Sequence, residues 1–255
     1  SVSIAPTEDL GALEASITPA TRLILTELPT NPYLRVVDLP ALAGISHRRG
    51  CLLVVDSTFA TPYNLRPAEL GADLIIHSGT KYLGGHNDIL AGSVAGPEDL
   101  IHTLRDAQNM LGAVIDPHCA YLLLRGLKTL DVRMRRHNEN GQRVAEFLET
   151  HPAVRRVYYP GLPSHPDHEI ARRLMAGFGG VVSFEIEGDY ERTMRFIDAM
   201  QLPYVGPSLG GVESIIEQPA LMSHFALDQA EREAIGIRDE LVRYALGIED
   251  ADDLI

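Results

Sequence analysis

Short apolar runs recur along the first hundred residues of the chain. They predict strands at residues 21–28, 51–56, 72–78 and 89–96. The two middle runs, CLLVVD and ADLIIHS, show no alternation, which is typical of strands buried on both faces. Helical spacing of apolar residues predicts helices at 38–50 and 66–72, between the first three strands. This order predicts an α/β fold with a mostly parallel sheet that helices cover on both faces.

The second half of the chain begins with a long helical stretch, residues 98–150, that is interrupted near Gly126. After it, strands are predicted at 154–161, 181–188 and 241–249, and helices at 168–175 and 190–200. Residues 181–188 alternate and so indicate a half-buried strand. We therefore expect residues 1–132 to belong to a larger α/β domain and residues 133–255 to form a smaller C-terminal α+β domain. At the other end, Thr7 is expected to cap a short helix over 8–16.

Composition and charge narrow the class of protein. The 255 residues are 45% hydrophobic and carry a net charge of −13, which argues against nucleic acid or an anionic membrane as a partner. No apolar run approaches the roughly 20 residues that a membrane-spanning helix needs. Two cysteines, Cys51 and Cys119, lie far apart in no metal or redox pattern, so a reduced, cytoplasmic setting is expected.

Polar side chains stand in three loops that follow the predicted strands. TELPTNP (26–32) contains Asn31, VVDSTFATP (54–62) contains Asp56, and HSGTKYLGGHND (77–88) contains Ser78, Thr80 and Lys81. In open α/β sheets, ligands bind beyond the carboxyl ends of strands. We therefore expect these three loops to meet at one edge of the sheet.

Each of these loops also has a structural explanation. Asn31 lies in a rigid turn between prolines, Asp56 can cap the following turn, and Lys81 can be a solvated surface amine. Taken together they favour chemistry, because hydroxyls suit a phosphate, a carboxylate suits a cationic ring nitrogen, and a desolvated lysine suits an aldehyde. That combination describes pyridoxal 5′-phosphate (PLP).

Other candidates are less specific. Arg243 stands inside the apolar segment LVRYALG, where it needs an anion, which can be a substrate carboxylate or an internal acidic partner. Gly210 lies in SLGGVES, which can be a tight turn or part of a site. The histidines have no metal-ligand spacing, and no metal is expected; these are His77, His86 and His118.

The order of motifs resembles the Cys/Met-metabolism enzymes that use PLP, which carry out trans-sulfuration. The resemblance rests on TELPTNP, VVDSTFATP, HSGTKYLGGHND, YYPGLPSHP, GFGGVVSFE, PSLGGVESIIEQPALMSH and LVRYALGIEDADDL. GGHNDILAG and ESIIEQPALMSH are most similar to the cystathionine γ-synthase branch. The resemblance implies the fold-type I PLP-dependent transferase fold, with 1–132 as the C-terminal part of the PLP-binding domain.

The resemblance also implies roles for single residues. Lys81 would link covalently to the cofactor and shuttle protons, Asp56 would pair with the ring nitrogen, and Asn31 would bind the ring's phenolic oxygen. Ser78 and Thr80 would bind the phosphate.

Three further residues fall at positions that face the substrate in this family. Arg243 would bind the substrate α-carboxylate with Ser208 beside it, and Glu213 falls where family members differ in handling the distal part of the substrate.

The implied reaction is γ-replacement on an activated homoserine by cysteine, as in cystathionine γ-synthase. Cystathionine γ-lyase and methionine γ-lyase activity remain alternatives, as does a non-catalytic fragment or assembly subunit; a transaminase of the same broad fold would lack SLGGVES. The resemblance implies an amino-acid substrate and a homotetramer built as a dimer of dimers. Family chains also carry about a further third before the position of Ser1, so we expect part of the cofactor site to be missing from this chain.

Overall fold

The computed structural model describes residues 2–6 and 9–255. The α-helices of this part are α1 (Leu10–Ser16), α2 (Leu39–Arg48), α3 (Thr61–Asn64), α4 (Glu98–Leu111), α5 (Pro117–Leu127), α6 (Leu130–Thr150), α7 (His168–Leu174), α8 (Tyr190–Ala199), α9 (Gln229–Ala234) and α10 (Ala251–Leu254). The strands are β1 (Leu23–Glu27), β2 (Leu52–Asp56), β3 (Leu74–Ser78), β4 (Gly92–Ala95), β5 (Val154–Tyr158), β6 (Val181–Ile186), β7 (Tyr204–Val205), β8 (Ile215–Glu217) and β9 (Leu241–Ala245).

Two short helices of the first half differ from their predictions. Thr7, the predicted cap of the first helix, lies outside the described residues; the helix begins at Leu10, where Asp9 accepts a hydrogen bond from the Ala12 N–H at 2.8 Å. The predicted helix at 66–72 is a single 3₁₀ turn, Pro67–Leu70, which ends at Gly71 in the left-handed conformation.

The first sheet has the strand order β1-β2-β3-β4. The first three strands are parallel, as predicted, whereas β4 runs antiparallel to β3. Residues 79–91, which join β3 to β4, include the turn that carries Lys81 and contain no crossover α-helix of the kind that usually joins parallel strands. Helices were predicted to cover both faces of this sheet, but β1 is less buried than that within the described residues, because the Leu25 side chain is 61% exposed.

The second sheet has the order β5-β6-β9-β8-β7 and is mostly antiparallel. All six residues of β6 are buried, although their alternation predicted a half-buried strand. Polar members of that strand are buried because they find partners; the Ser183 hydroxyl donates to the Pro32 carbonyl at 2.6 Å. The sequence pattern did not reveal β7 and β8, which are only two and three residues long.

Two hydrophobic cores form, one around each sheet. The first contains Leu28, Leu53 and Val55 and also takes in Met175, which follows α7 in the second half of the chain. The second contains Phe184, Ile216, Val242 and their neighbours together with Tyr82. The expected division between residues 132 and 133 falls within α6 and stays a prediction.

Tyr82 follows Lys81 directly and ties the lysine turn to the second core. It is 1% exposed, and its ring meets the His137 ring edge-on at 5.0 Å between centroids. The Tyr82 carbonyl accepts a hydrogen bond at 2.7 Å from the buried guanidinium of Arg133 on α6. Both contacts come from α6, which therefore holds the turn that carries Lys81.

Helix α5 packs against this same turn through Gly126. A Cβ atom at Gly126 would lie 2.2 Å from the Gly84 carbonyl oxygen and 2.9 Å from that of Leu83. Arg133 also donates to the Gly126 carbonyl at 2.8 Å. The close approach of helix and turn thus requires a residue without a side chain.

Gly126→Ala should destabilise the protein, because the new methyl group would push α5 away from the lysine turn. We expect a loss of about 1–3 kcal/mol in the free energy of unfolding, measured by urea denaturation. Gly44→Ala on α2 is the matched control, since its nearest neighbour is the flexible end of Arg48 at 3.4 Å. Equal effects of the two substitutions would contradict the packing role of Gly126.

Candidate active site

The carboxyl ends of β1, β2 and β3 deliver the predicted side chains to one cleft. Asn31 follows β1, Asp56 ends β2, Ser78 ends β3, and Lys81 lies in the turn after it. All four line a cleft of about 210 Å³ together with Arg243 from β9. The expected meeting of the three loops at one edge of the sheet is therefore observed.

Asp56 is held by a residue that the sequence analysis did not select. Its Oδ1 accepts hydrogen bonds from the Thr58 N–H at 3.0 Å and the Thr58 hydroxyl at 2.6 Å. The same hydroxyl accepts from the Ser78 N–H at 2.8 Å, so Thr58 connects the ends of β2 and β3. An Asp-Ser-Thr sequence after a strand is a known turn signal and could have revealed it. Asp56 Oδ2 has no hydrogen-bond partner within residues 2–6 and 9–255.

Lys81 stands in a short π-helical turn, Gly79–Leu83, at a residue whose backbone angles are not helical (φ −91°, ψ −131°). The Lys81 amine donates a hydrogen bond to the Ser208 hydroxyl oxygen at 2.9 Å. Burial lowers the pKa of Lys81, the nearby Arg243 cation lowers it further, and Glu217 raises it in part. The arrangement therefore favours the neutral, nucleophilic amine.

The two hydroxyls that flank Gly79 have different surroundings. The Ser78 hydroxyl opens to the cleft and forms no hydrogen bond with the described residues. The Thr80 hydroxyl bridges to the backbone of Ala91, accepting from its N–H at 3.0 Å, and Thr80 lines a second, neighbouring cavity. The role of Thr80 in phosphate binding stays a prediction.

Arg243 is buried, and the internal acidic partner that the sequence left open exists. Its Nη2 lies 2.8 Å from Oε1 of Glu217, and the two side chains are 3% and 1% exposed. Nη1 donates to Oδ1 of Asn31 at 3.0 Å, and Nη2 also donates to the carbonyls of Pro207 and Ser208. Arg243 thus joins the second sheet to the loop that follows β1. Glu217 lies within ESIIEQPALMSH, one of the stretches that carry the resemblance, but the sequence analysis assigned it no role.

Glu213 lies beside the second cavity, of about 740 Å³, which Ser208 also lines. Its Oε2 accepts a hydrogen bond from the Asn87 amide at 3.0 Å. Asn87 adopts the left-handed conformation (φ 56°), which asparagine tolerates better than most residues. Ser208 therefore stands between the lysine cleft and the cavity that holds Glu213.

The donor set of the cleft fits pyridoxal phosphate. An amine with a lowered pKa suits an aldehyde, the half-satisfied carboxylate of Asp56 suits a cationic ring nitrogen, and the free hydroxyl of Ser78 suits a phosphate oxygen. The amide nitrogen of Asn31 suits a ring oxygen, because its carbonyl oxygen is already bound to Arg243.

Comparisons with known proteins point to the same cofactor. A model of the family described as "Cys/Met metabolism PLP-dependent enzyme" matches residues 1–255. Cystathionine gamma-synthase 1 from Arabidopsis thaliana, described as chloroplastic, is 51% identical over 254 residues. Cystathionine gamma-lyase from Sus scrofa is 49% identical over 245 residues. The crystal structure of cystathionine gamma-lyase from Lactobacillus plantarum complexed with L-serine superposes with a TM-score of 0.95 at 42% identity.

The matches cover nearly all of this chain but only part of the relatives. They span 99% of the chain and 45% of the Arabidopsis protein, 95% and 60% for the Sus scrofa protein, and 99% and 66% for the Lactobacillus structure. The chain therefore spans about half to two thirds of the length of the relatives it matches.

Lys81 should react with an amine-acylating reagent at a lower pH than Lys128, the other lysine of the sequence. The lowered pKa of Lys81 leaves a larger neutral fraction at a given pH, and only the neutral amine is acylated. Trace acetylation across a pH series, quantified by mass spectrometry of both peptides, gives the two midpoints. The exposed Lys128 is the internal reference. A midpoint for Lys81 equal to or above that of Lys128 would contradict the effect of the cleft.

Proposed function

This chain belongs to the Cys/Met metabolism PLP-dependent enzymes, and we propose on that premise that it catalyses γ-replacement, joining an activated homoserine and cysteine into cystathionine. The observation that carries the proposal is the cleft in which Lys81, Asp56 and Asn31 meet. PLP, when bound, supplies an electron sink for the charge left as a proton departs from the α-carbon of an amino acid.

Residues of this chain would hold and orient that group. Asp56 opposes the ring nitrogen, and Thr58 fixes the carboxylate by two hydrogen bonds. Asn31 binds a ring oxygen, Ser78 binds the phosphate, and Thr80 remains a second candidate for that phosphate. An ionised carboxylate against a ring nitrogen keeps that nitrogen protonated, because the charges attract at short range.

Lys81 moves the protons. Its neutral amine takes the proton from the substrate α-carbon. Once the resulting ammonium has given that proton up, the amine is neutral again and takes a proton from the β-carbon, which allows the substituent on the γ-carbon to leave. Ser208, within hydrogen-bond distance at 2.9 Å, restrains the amine between these positions.

The substrate extends from the lysine cleft into the neighbouring cavity. Arg243 binds its α-carboxylate, and Ser208 lies between the two spaces. Glu213 contacts the distal part of the substrate, in an orientation that Asn87 fixes by its 3.0 Å hydrogen bond.

A second candidate activity is γ-elimination, as in a cystathionine or methionine γ-lyase. It is supported by the lyases from Sus scrofa and Lactobacillus plantarum, whose identities to this chain lie near that of the Arabidopsis synthase. In that reaction water, in place of the cysteine thiol, completes the turnover and a 2-oxo acid, ammonia and a thiol are released.

We include a homotetramer and a cytoplasmic location in the proposal. Exposed apolar residues on and beside α4 and α5 support further subunit contacts; they are Met110, Leu111, Tyr121 and Leu124, each more than 60% exposed. Cys51 and Cys119 are free, which fits a reducing compartment. No helix in the described ranges has the length and apolar character to cross a bilayer.

PLP should attach to Lys81 and not to Lys128. Borohydride reduction of the protein after incubation with PLP, followed by peptide mass spectrometry, should find the pyridoxyl mass on the Lys81 peptide. Lys81→Ala should lose the label and turnover, whereas Lys128→Ala should keep both. Labelling at Lys128 alone, or none at either lysine, would favour a non-catalytic chain.

The products should distinguish the two activities. With O-acylated or O-phosphorylated homoserine and cysteine, chromatography should show cystathionine that depends on both substrates. Release of ammonia and a four-carbon 2-oxo acid from cystathionine or methionine, with no cystathionine formed from the first pair of substrates, would make the protein a γ-lyase. Neither product from the PLP-loaded protein would remove the proposed function.

A further inference from the structure

Glu217 is a buried carboxylate that the proposed reaction does not use. It stands opposite Arg243 in the antiparallel pairing of β8 and β9. Its Oε1 lies 2.8 Å from Nη2 of Arg243, and the Glu217 side chain is 1% exposed. The cation that would receive the substrate carboxylate is therefore already paired with an acidic side chain.

The hydrogen bonds of Arg243 leave little room for a second carboxylate. Nη2 donates to the carbonyls of Pro207 and Ser208, which engages both of its hydrogens, and Glu217 Oε1 lies 2.8 Å from the same nitrogen as the ion-pair partner. Nη1 uses one hydrogen for Asn31, and Nε is buried without a partner in the described part of the chain. An incoming carboxylate can take a single hydrogen from Nη1 unless one of the acceptors on Nη2 yields.

We propose that Glu217 is an intramolecular competitor for Arg243, a specificity-determining residue that weakens binding of the substrate α-carboxylate. This inference rests on the proposed function, in which Arg243 receives that carboxylate. Glu217 is the charged neighbour of Nη2, whereas the two carbonyls that accept its hydrogen bonds are neutral, so neutralising Glu217 changes what the guanidinium attracts.

The electrostatic reason is the charge balance of the site. The pair of Arg243 and Glu217 is neutral as a unit, so a third, negative group entering the cleft gains less than it would from an isolated guanidinium. The carboxylate of Glu217 also repels the incoming one. Neutralising Glu217 removes both effects and leaves the charge of the guanidinium to the incoming carboxylate.

Ser223 sets how strongly Glu217 depends on Arg243. Its hydroxyl oxygen lies 2.8 Å and 2.7 Å from the two carboxylate oxygens of Glu217. The Ser223 hydroxyl donates to the Glu217 carboxylate and so stabilises part of its charge. Without this hydrogen bond, Glu217 interacts more strongly with the guanidinium and competes better with the substrate carboxylate.

The test compares two probes on the PLP-loaded protein by titration calorimetry: L-norleucine, which has no leaving group, and L-norleucinamide, which lacks the carboxylate. The ratio of their dissociation constants isolates the contribution of the carboxylate. Glu217→Gln should tighten norleucine binding roughly tenfold with little change for the amide, since a gain of about 1.4 kcal/mol corresponds to that factor. Glu185→Gln is the matched control, because Glu185 is a buried carboxylate of the same sheet that pairs with Arg155 instead.

Ser223→Ala gives an independent test in the opposite direction. Its residue lies at the surface, so the variant should fold, and norleucine binding should weaken about threefold through loss of one hydrogen bond to Glu217. If Glu217→Gln does not fold, as thermal denaturation would show, this variant decides alone.

Each outcome has one meaning. Tighter norleucine binding in Glu217→Gln, or weaker binding in Ser223→Ala with the amide unchanged, supports the inference. Unchanged or weaker norleucine binding in a folded Glu217→Gln overturns it, and so does unchanged or tighter binding in Ser223→Ala where Glu217→Gln does not fold. Either result leaves the proposed function standing, because the wild-type protein still binds the probe. If the PLP-loaded wild type does not bind norleucine, the proposed function fails and this inference with it.

Discussion

A buried guanidinium connects the parts of this structure that chemistry requires to be close. Taking Arg243 out of water costs several kcal/mol unless charge and hydrogen bonds compensate, and its partners come from three separate places in the chain. Glu217 lies on β8, Pro207 and Ser208 precede that strand, and Asn31 follows β1. Satisfying one cation therefore fixes the second sheet, the Ser208 loop and the first sheet relative to one another, and with them the oxygen that meets Lys81.

The balance of charges in the cleft also explains the lowered pKa of Lys81. Lys81 donates a hydrogen bond to a neutral hydroxyl, whereas Arg243 forms an ion pair with a carboxylate. An ammonium beside a second cation and away from bulk water is disfavoured, so its pKa falls. The site thus separates a cation that stays charged from an amine that can lose its proton, although both line one cleft.

The sequence was informative where local pattern decides the structure. Uninterrupted apolar runs predicted β2 and β3, and the polar residues Asp56, Ser78 and Lys81 stood out because they come at or just after the ends of those runs. It was uninformative where pairing between distant segments decides. Neither the direction of β4 nor the pairing of Glu217 with Arg243, 26 residues apart and set by strand register, has a local signal. The hydrogen bond between the Ala91 N–H and the Thr80 hydroxyl has no local signal either, because the fold brings these two residues together.

The burial of Tyr82 has a consequence for how the protein opens. The residue after Lys81 belongs to the core of the second sheet, whereas the strand before Lys81 belongs to the first sheet. A local opening of either unit would draw the lysine turn out of place, so the two units cannot fluctuate independently at this point. Amide hydrogen exchange in the turn then reports the cooperative unfolding of both units. The position of the Lys81 amine therefore depends on the stability of the whole chain.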